Sequence, residues 1–593
     1  MKTLVLHYNN LPLSIIKESL NGKDDDVLIR PLAQPPTDRE DFDSFVSDEL
    51  SKIGLEQFSL IVMPLNFTET YMEFTGLRVA AHIRLTEEWK SVCTPILFLG
   101  SEKLEEIMQI SQFGVILNTF NIYYLQQYGI EDIKKMLELI NNTSLDVDVN
   151  SPQYKRFLDV MKIIPAPSNY SSHHSIANEW AILRWSEMHD IILNSSNKNL
   201  RHMLYFKYLM AIVGEREFFS KSYLKRHQST LKICGINNCR IVVIDDEISK
   251  GWKEIFEIVL KKASGANVTF FPFNKSNLSN NKERLIDDIK LFIKNDFTEN
   301  QGSANCYIID LRLHDDDFNE NTNYKDLSGH KIAEYIKSQE LNPYNQVVVF
   351  TASNKIWNYE KAVGITKASG YAVKESPEQN LSKTESKQLY DNFCKAVKHA
   401  CDMSYLSNLY TKLDNVKRNC QYSEDELTLL YQFIELLNID NGMNQEAILK
   451  ACVLTLSTFL EVFCKDRFLL TTTELFRNND STYSVKWIKR IFIDDDATES
   501  SVKCYDTSVN VIPAGFKELI STSNQSSKIN DKAYILVPLF LYYNLTESEL
   551  SEVNKLKNAR NKVAHEGKTD YTIAELINVF KNIILKVLKL EKG

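Results

Sequence analysis

RIVVIDDE, residues 240–247, is a run of β-branched apolar residues that stops abruptly on three acids. A short apolar run closed by polar residues reads as a strand buried on both faces, as in a parallel sheet. Four further runs repeat the pattern downstream: NVTFFPF (267–273), CYIIDL (306–311), QVVVFTA (346–352) and YAVK (371–374), with helical stretches between them. Strands alternating with helices predict an open α/β sheet. Ligands of such sheets bind beyond the carboxyl ends of the strands. Those ends carry Asp245 and Asp246, then Asp310, Thr351 and Lys374.

Phosphoryl transfer onto a carboxylate needs such a set: oxygen ligands for magnesium, a nucleophilic acid and a cation for the incoming phosphate. Residues 236–402 therefore resemble the receiver domain of two-component response regulators. The resemblance implies that Asp245, Asp246, Asp310 and the backbone carbonyl of Arg312 hold Mg2+, and that Asp310 takes the phosphoryl group. It also implies that Thr351 and Lys374 contact the phosphate, that Tyr371 is a rotating switch aromatic, and that Gly329 opens the third helix. Two departures stand out. The acidic insert HDDDFNENTNYKD (314–326) lengthens the loop after Asp310, and Lys374 is followed by Glu375 rather than proline.

Residues 1–145 repeat the alternation in TLVLHY (3–8), FSLIVMPL (58–65), TPILFLG (94–100) and FGVIL (113–117), with helical TGLRVAAHIRL (75–85) and EDIKKMLELI (131–140). Where the receiver pattern wants an acid, this unit offers Met63 and Pro64. Asp24, Asp25 and Asp26 follow a helix rather than the first strand. It is read as a degenerate receiver-like unit used for docking or dimerisation. A helical connector (146–235) follows, in which Trp180 and Trp185 are expected in a core or interface. His173 and His174 are adjacent and project differently, so a metal role is not expected of them.

From 403 the pattern turns helical: a linker helix at 403–424, then a bundle at 425–593. Its polar insertion at about 470–530 is expected to hold a short strand or two. The bundle contains AILKACVLTLSTFLEVF (447–463), VPLFLYYN (537–544) and the closing ELINVFKNIILKVLKL (575–590), whose apolar spacing is that of an amphipathic helix. Between them lies KNARNKVAHEG (557–567), with Arg560, Asn561 and His565 in an RNxxxH pattern. This region resembles the HEPN family, many of whose members are metal-independent ribonucleases. A histidine near neutral pKa can move the 2′-hydroxyl proton, and an arginine fork can offset charge at phosphorus. The resemblance implies that two protomers pool their motifs, hence a homodimer. A five-residue step leaves Arg560 and His565 on neighbouring surfaces if the helix breaks near Gly567, and Glu461 is a candidate to orient them.

The fold class expected is therefore multidomain α/β plus all-α: degenerate receiver-like unit, helical connector, (βα)5 receiver, linker helix and HEPN-like bundle. The function expected is a response regulator whose phosphorylation, by a sensor histidine kinase or small phosphodonor, controls an RNA-cleaving output in stress or phage defence. The alternative is a signalling adaptor whose bundle only dimerises or binds a nucleotide or partner. A DNA-binding regulator is disfavoured, because no compact helix-turn-helix ends in a basic recognition helix.

Totals bound these readings. The chain has 593 residues, enough for about three or four cores. It is 44% hydrophobic and 25% charged, as ordinary globular proteins are, and its net charge of −9 argues against a general nucleic-acid coat. Ten scattered cysteines without a CxxC pair point to reduced thiols and a cytoplasmic location. No run of about 18 consecutive apolar residues marks a membrane span.

Overall fold

A computed structural model describes the chain except for residues 1, 9–10, 21–25, 33–38, 68–73, 87–88, 164–172, 190–199, 214–230, 274–280, 301, 303, 319–321, 353–367, 380, 440–444, 479, 487–488, 495–499, 507–511, 522–527 and 592–593. It divides into two compact units. The first comprises 1–287, 307–331 and 347–399, and the second 288–306, 332–346 and 400–593.

The first unit contains two five-stranded sheets. One is built from β1 (Thr3–His7), β2 (Val27–Pro31), β3 (Leu60–Pro64), β4 (Ile96–Leu99) and β5 (Ile122–Leu125), in the order β2-β1-β3-β4-β5. The other is built from β6 (Arg240–Ile244), β7 (Asn267–Phe270), β8 (Cys306–Ile309), β9 (Val347–Thr351) and β10 (Gly370–Val373), in the order β10-β9-β8-β6-β7. The two orders are the same doubly wound arrangement, with the first strand between the second and third. Central strands β3, β4, β8 and β9 are buried throughout, which is why each reads as a continuous apolar run.

Around the first sheet lie α1 (Leu13–Leu20), α2 (Arg39–Ser51), α3 (Thr75–Leu85), α4 (Leu104–Ile110) and α5 (Ile130–Thr143). The connector contributes α6 (Pro152–Met161), α7 (His173–Met188) and α8 (Leu204–Val213). Between and after the strands of the second sheet the chain forms α9 (Trp252–Phe256), α10 (Lys282–Glu299), α11 (Ser328–Ile336) and α12 (Lys383–Met403). The expectation for the first sheet is corrected at two places. FGVIL is not a strand but lies mainly in a 3-10 turn, Gly114–Asn118, and the true fifth strand is the following IYYL. Strand β2, with its partly exposed VLIRP, has no counterpart in the sequence reading.

The C-terminal part of the second unit holds α13 (Tyr405–Cys420), α14 (Glu424–Leu437), α15 (Gln445–Arg467), α16 (Ala533–Leu541), α17 (Glu547–Glu566), α18 (Ile573–Val579) and α19 (Leu585–Leu590). Phe580–Ile584 joins α18 and α19 as one wide turn. Helix α15 is long and apolar enough to cross a bilayer, yet Cys452, Val453, Leu456, Phe459, Leu460 and Phe463 pack in the C-terminal core. Helix α13 is tied to the 332–346 segment of its own unit. Asn342 Nδ2 donates to Ser407 O at 2.9 Å, and Tyr410 OH to Gln339 Oε1 at 2.5 Å.

The insertion is richer in strand than expected. Short antiparallel strands run from Phe468–Leu470 to Lys528–Ile529, in two three-stranded sheets and one two-stranded sheet. Their registers include Ile491↔Cys504 and Leu469↔Phe476.

Candidate functional sites

The turn after β6 carries Asp245 and Asp246, β8 runs into Asp310, β9 ends on Thr351 and β10 runs into Lys374. Backbone bonds fix this edge: Asp310 N donates to Ile244 O at 3.0 Å and Lys374 N to Thr351 O at 2.9 Å. Lys374 Nζ bridges Asp310 Oδ2 at 2.6 Å and Asp245 Oδ2 at 2.7 Å. Asp245, Asp246 and Asp310 bring ligand oxygens within 4.8 Å of one another. The rings of Trp252 and Phe350 flank the ammonium at 5.5 and 5.3 Å. Asp245, Asp310, Thr351 and Lys374 are all buried.

Three carboxylates and one ammonium leave net negative charge inside the protein. Burial, helped by Asp310 and Glu247 and opposed by Lys374, pushes Asp245 up to about 6. Burial and then Glu247, Asp245 and Asp310 push Asp246 well above the carboxylate range. Lys374 is shifted upward: burial lowers it, but Asp245 and Asp310 outweigh that. Asp246 Oδ1 is buried without a hydrogen-bond partner. An orphaned oxygen among crowded carboxylates suits a small divalent cation, whose charge lowers the cost of keeping all three ionised. The other expected positions lie close by. Arg312 N donates to Asp310 Oδ1 at 3.3 Å, and half-buried Tyr371 packs on Leu311, Leu327 and Val349. Residues 353–367, between β9 and β10, lie outside the described residues.

Sequence reasoning noted Glu375 as a departure and missed its partners. Glu375 is buried, and its Oε1 lies 2.9 Å from Arg184 Nε and accepts from Trp180 Nε1 at 3.1 Å. Ser386 Oγ donates to Oε2. Both Arg184 and Trp180 belong to α7, and Arg184 Nη2 also donates to Leu381 O at 3.1 Å. The same helix reaches the other side of the pocket. Trp252 Nε1 donates to Asn178 Oδ1 at 2.9 Å, and Lys250 lies 3.9 Å from Glu179. Trp185, expected in a core, sits among Trp252, Phe350, Tyr390 and Phe393. Helix α7 therefore clasps the two loops that carry the metal-type acids and the lysine. The side chains of His173 and His174 lie outside the described residues.

The acidic insert is partly structural. Buried Asp317 accepts from Leu313 N at 3.0 Å and Ser328 N at 3.1 Å, and pairs with Lys282 at 2.6 Å.

The first sheet has the same geometry without the chemistry. Gly329 N donates to Leu311 O at 3.0 Å, and Gly76 N to Leu65 O at 2.9 Å. A Cβ on Gly329 would lie 2.0 Å from Asp310 O, and one on Gly76 would lie 2.2 Å from Pro64 O. Pro64 thus stands where Asp310 stands, and β4 ends on Leu99 where β9 ends on Thr351. Asp24 and Asp25 lie outside the described residues; exposed Asp26 abuts β2, not the end of β1.

In the second unit, Thr546 and Glu549 form a capping box at the start of α17, and Gly567 ends it in the left-handed conformation at φ 64°. The helix runs unbroken through the RNxxxH motif. Five steps at about 100° each put roughly 140° between Arg560 and His565. This corrects the neighbouring-surface expectation: one chain presents them on different flanks. Arg560 is half-buried, with Nη1 donating to Asn561 Oδ1 at 3.2 Å, while His565 is exposed. Glu461 does not orient this pair; it binds Lys557 and Lys465, each at 2.6 Å. Arg560 and Glu566 form no ion pair among the described residues.

Two stretches match family models. Residues 16–125 match the Inactive Receiver domain, and residues 418–590 match RiboL-PSP-HEPN. The first match agrees with the proline at the acceptor position. Together they describe the expected combination of a receiver-type domain with a C-terminal HEPN domain. The acid pocket of the second sheet lies outside both stretches. No curated protein matches the chain.

Proposed function

We propose that the chain is a signalling protein in which phosphorylation of Asp310 controls a HEPN ribonuclease. The reading rests on one observation above all: Asp245 and Asp246 after β6, Asp310 after β8 and Lys374 after β10 gather in one pocket, beside Thr351 at the end of β9, whose carbonyl accepts from Lys374 N. A sensor histidine kinase or a small phosphodonor supplies the phosphoryl group. An Asp310 carboxylate oxygen attacks phosphorus as the donor's bond to phosphorus breaks. Lys374 then exchanges its contact with the carboxylate for one with the new phosphate, and the Thr351 hydroxyl holds a second phosphate oxygen. Asp245, Asp246, Asp310 and the Arg312 carbonyl would hold Mg2+, which offsets phosphate and carboxylate charge.

In the HEPN domain His565 moves the proton of the 2′-hydroxyl, and Arg560 offsets charge on phosphorus. The wide angle between them along α17 supports a site pooled from two copies. The same observation favours the adaptor reading if no such dimer forms.

The test is RNA cleavage by the full chain in chelator, with Arg560→Ala and His565→Ala separately and mixed. Each variant alone is expected to lose cleavage, and the mixture to regain part of it through heterodimers carrying one Arg560 and one His565. Intact RNA with every sample, wild type included, would favour the adaptor.

A further inference from the structure

Helix α13 and the closing run Phe580–Leu590 enclose a cleft of about 930 Å³ within the second unit. Along α13 it is lined by Lys412, Asn415 and Asn419, spaced to share one stripe; opposite lie Lys581, Lys586 and Lys589. No acidic residue lines it. Of the nearby acids, Glu549 pairs with the cleft's own Lys586 at 2.6 Å, while Asp414 pairs with Arg418 at 2.5 Å and Glu424 with Lys417 at 3.3 Å, outside the lining. Lys412, Lys581 and Lys589 form no ion pair among the described residues. Burial and the neighbouring Lys412 both lower the basicity of Lys581. These lysines repel one another, and an anion between them relieves that cost.

We propose that this cleft binds a run of phosphate groups, with a single-stranded RNA backbone as the occupant. Lys581 and Lys589 lie about 12 Å apart along their helix, beyond the span of one phosphate ion. The asparagine amides can donate to phosphate oxygens between the ammonium groups. No aromatic ring lines the cleft, so bases find no stacking platform and recognition falls on the backbone. The site is separate from the RNxxxH motif and does not depend on cleavage.

The test uses full-length protein carrying His565→Ala, so that RNA stays intact whether or not the chain cuts it. Binding of a labelled single-stranded RNA is followed by fluorescence anisotropy across a salt series, with tripolyphosphate as the second ligand. Replacing Lys412, Lys581 and Lys589 by Gln is expected to weaken RNA binding by about tenfold or more. It should also flatten the log–log salt slope by about 2, at roughly 0.7 per lost phosphate contact. The milder Lys412→Gln/Lys589→Gln pair changes only exposed side chains, so it guards against misfolding, and it should flatten the slope by about 1.4. A loss confined to tripolyphosphate binding would identify a free polyphosphate, not RNA, as the occupant. Variants that match the parent protein for both ligands would overturn the proposal.

Discussion

Replacing Arg184 by Met removes the cation facing Glu375 and the Arg184 Nη2–Leu381 O bond, and leaves the Trp180, Asn178 and Glu179 contacts of the α7 clasp in place. Arg184 and Glu375 are 0% and 1% exposed, so water cannot substitute for the lost partner. Breaking a buried ion pair from one side costs about 3–5 kcal/mol. Trp180 and Ser386 still donate to the carboxylate, which puts the expected loss near the lower end, about 3 kcal/mol. Burial already holds the Glu375 pKa above its ordinary value despite Arg184. Without Arg184 it rises further, so the loss is greatest at neutral pH and shrinks in acid as the carboxylate takes a proton. Arg184→Met/Glu375→Gln removes both charges and is expected within about 1 kcal/mol of wild type. Urea unfolding followed by tryptophan emission suits the test, because Trp180, Trp185 and Trp252 all sit at the clasp. An Arg184→Met variant with a wild-type midpoint, or a double variant that loses the sum of the two single losses, would show that the Arg184–Glu375 pair does not hold the clasp.

Gly329→Ala places a Cβ 2.0 Å from Asp310 O, against backbone that cannot yield without moving Asp310. A loss of about 3 kcal/mol in thermal melts is expected, together with loss of acetyl-phosphate labelling. Gly76→Ala, which meets Pro64 O at 2.2 Å, should cost similar stability but leave labelling intact. In the first sheet's buried network, His82 Nε2 lies 2.9 Å from Asp43 Oδ1 and Lys207 Nζ lies 3.3 Å from Nδ1. Burial and then Lys207 lower His82 from 6.5 to about 4, so the folded state keeps it neutral while the unfolded chain protonates it. Its contribution is therefore complete above about pH 6.5 and fades toward pH 4, by about 3 kcal/mol in all. Melts of His82→Gln should lack this component. Glu461→Gln removes the partner of Lys557, and about 1 kcal/mol of stability should go with it. RNA cleavage should persist, since Glu461 touches neither Arg560 nor His565; a selective loss of cleavage would restore it as an orienting group.

Strands β6, β8 and β9 of the second sheet were legible because they are buried on both faces and closed by polar residues. The pocket followed, since parallel strands deliver their ends to one edge. Strands β2 and β5 lie at the sheet edges and show mostly half-exposed faces, as the legible edge strands β7 and β10 also do, so exposure alone does not account for their being missed. FGVIL misled because a short apolar run has no period of its own, and Gly114 packs tightly on the Ile107 carbonyl in a 3-10 turn. Several of the strands at 468–529 have only two or three residues, too few for alternation to register. The partners of Glu375 lie 191 and 195 residues away in sequence (375 − 184 and 375 − 180), and no local pattern links such positions. The RNxxxH motif could be read directly, but the angle between Arg560 and His565 depended on where α17 ends.

The most direct test of the central claim joins the two halves in one assay. The full chain is treated with acetyl phosphate and Mg2+ and then given single-stranded RNA, alongside Asp310→Asn and His565→Ala. One phosphoryl adduct is expected, on the peptide containing Asp310, in wild type and in His565→Ala but not in Asp310→Asn. RNA cleavage is expected to require His565 and to change rate on phosphodonor treatment only where Asp310 is present. An adduct that survives Asp310→Asn, or cleavage indifferent to both substitutions, would contradict the proposed function.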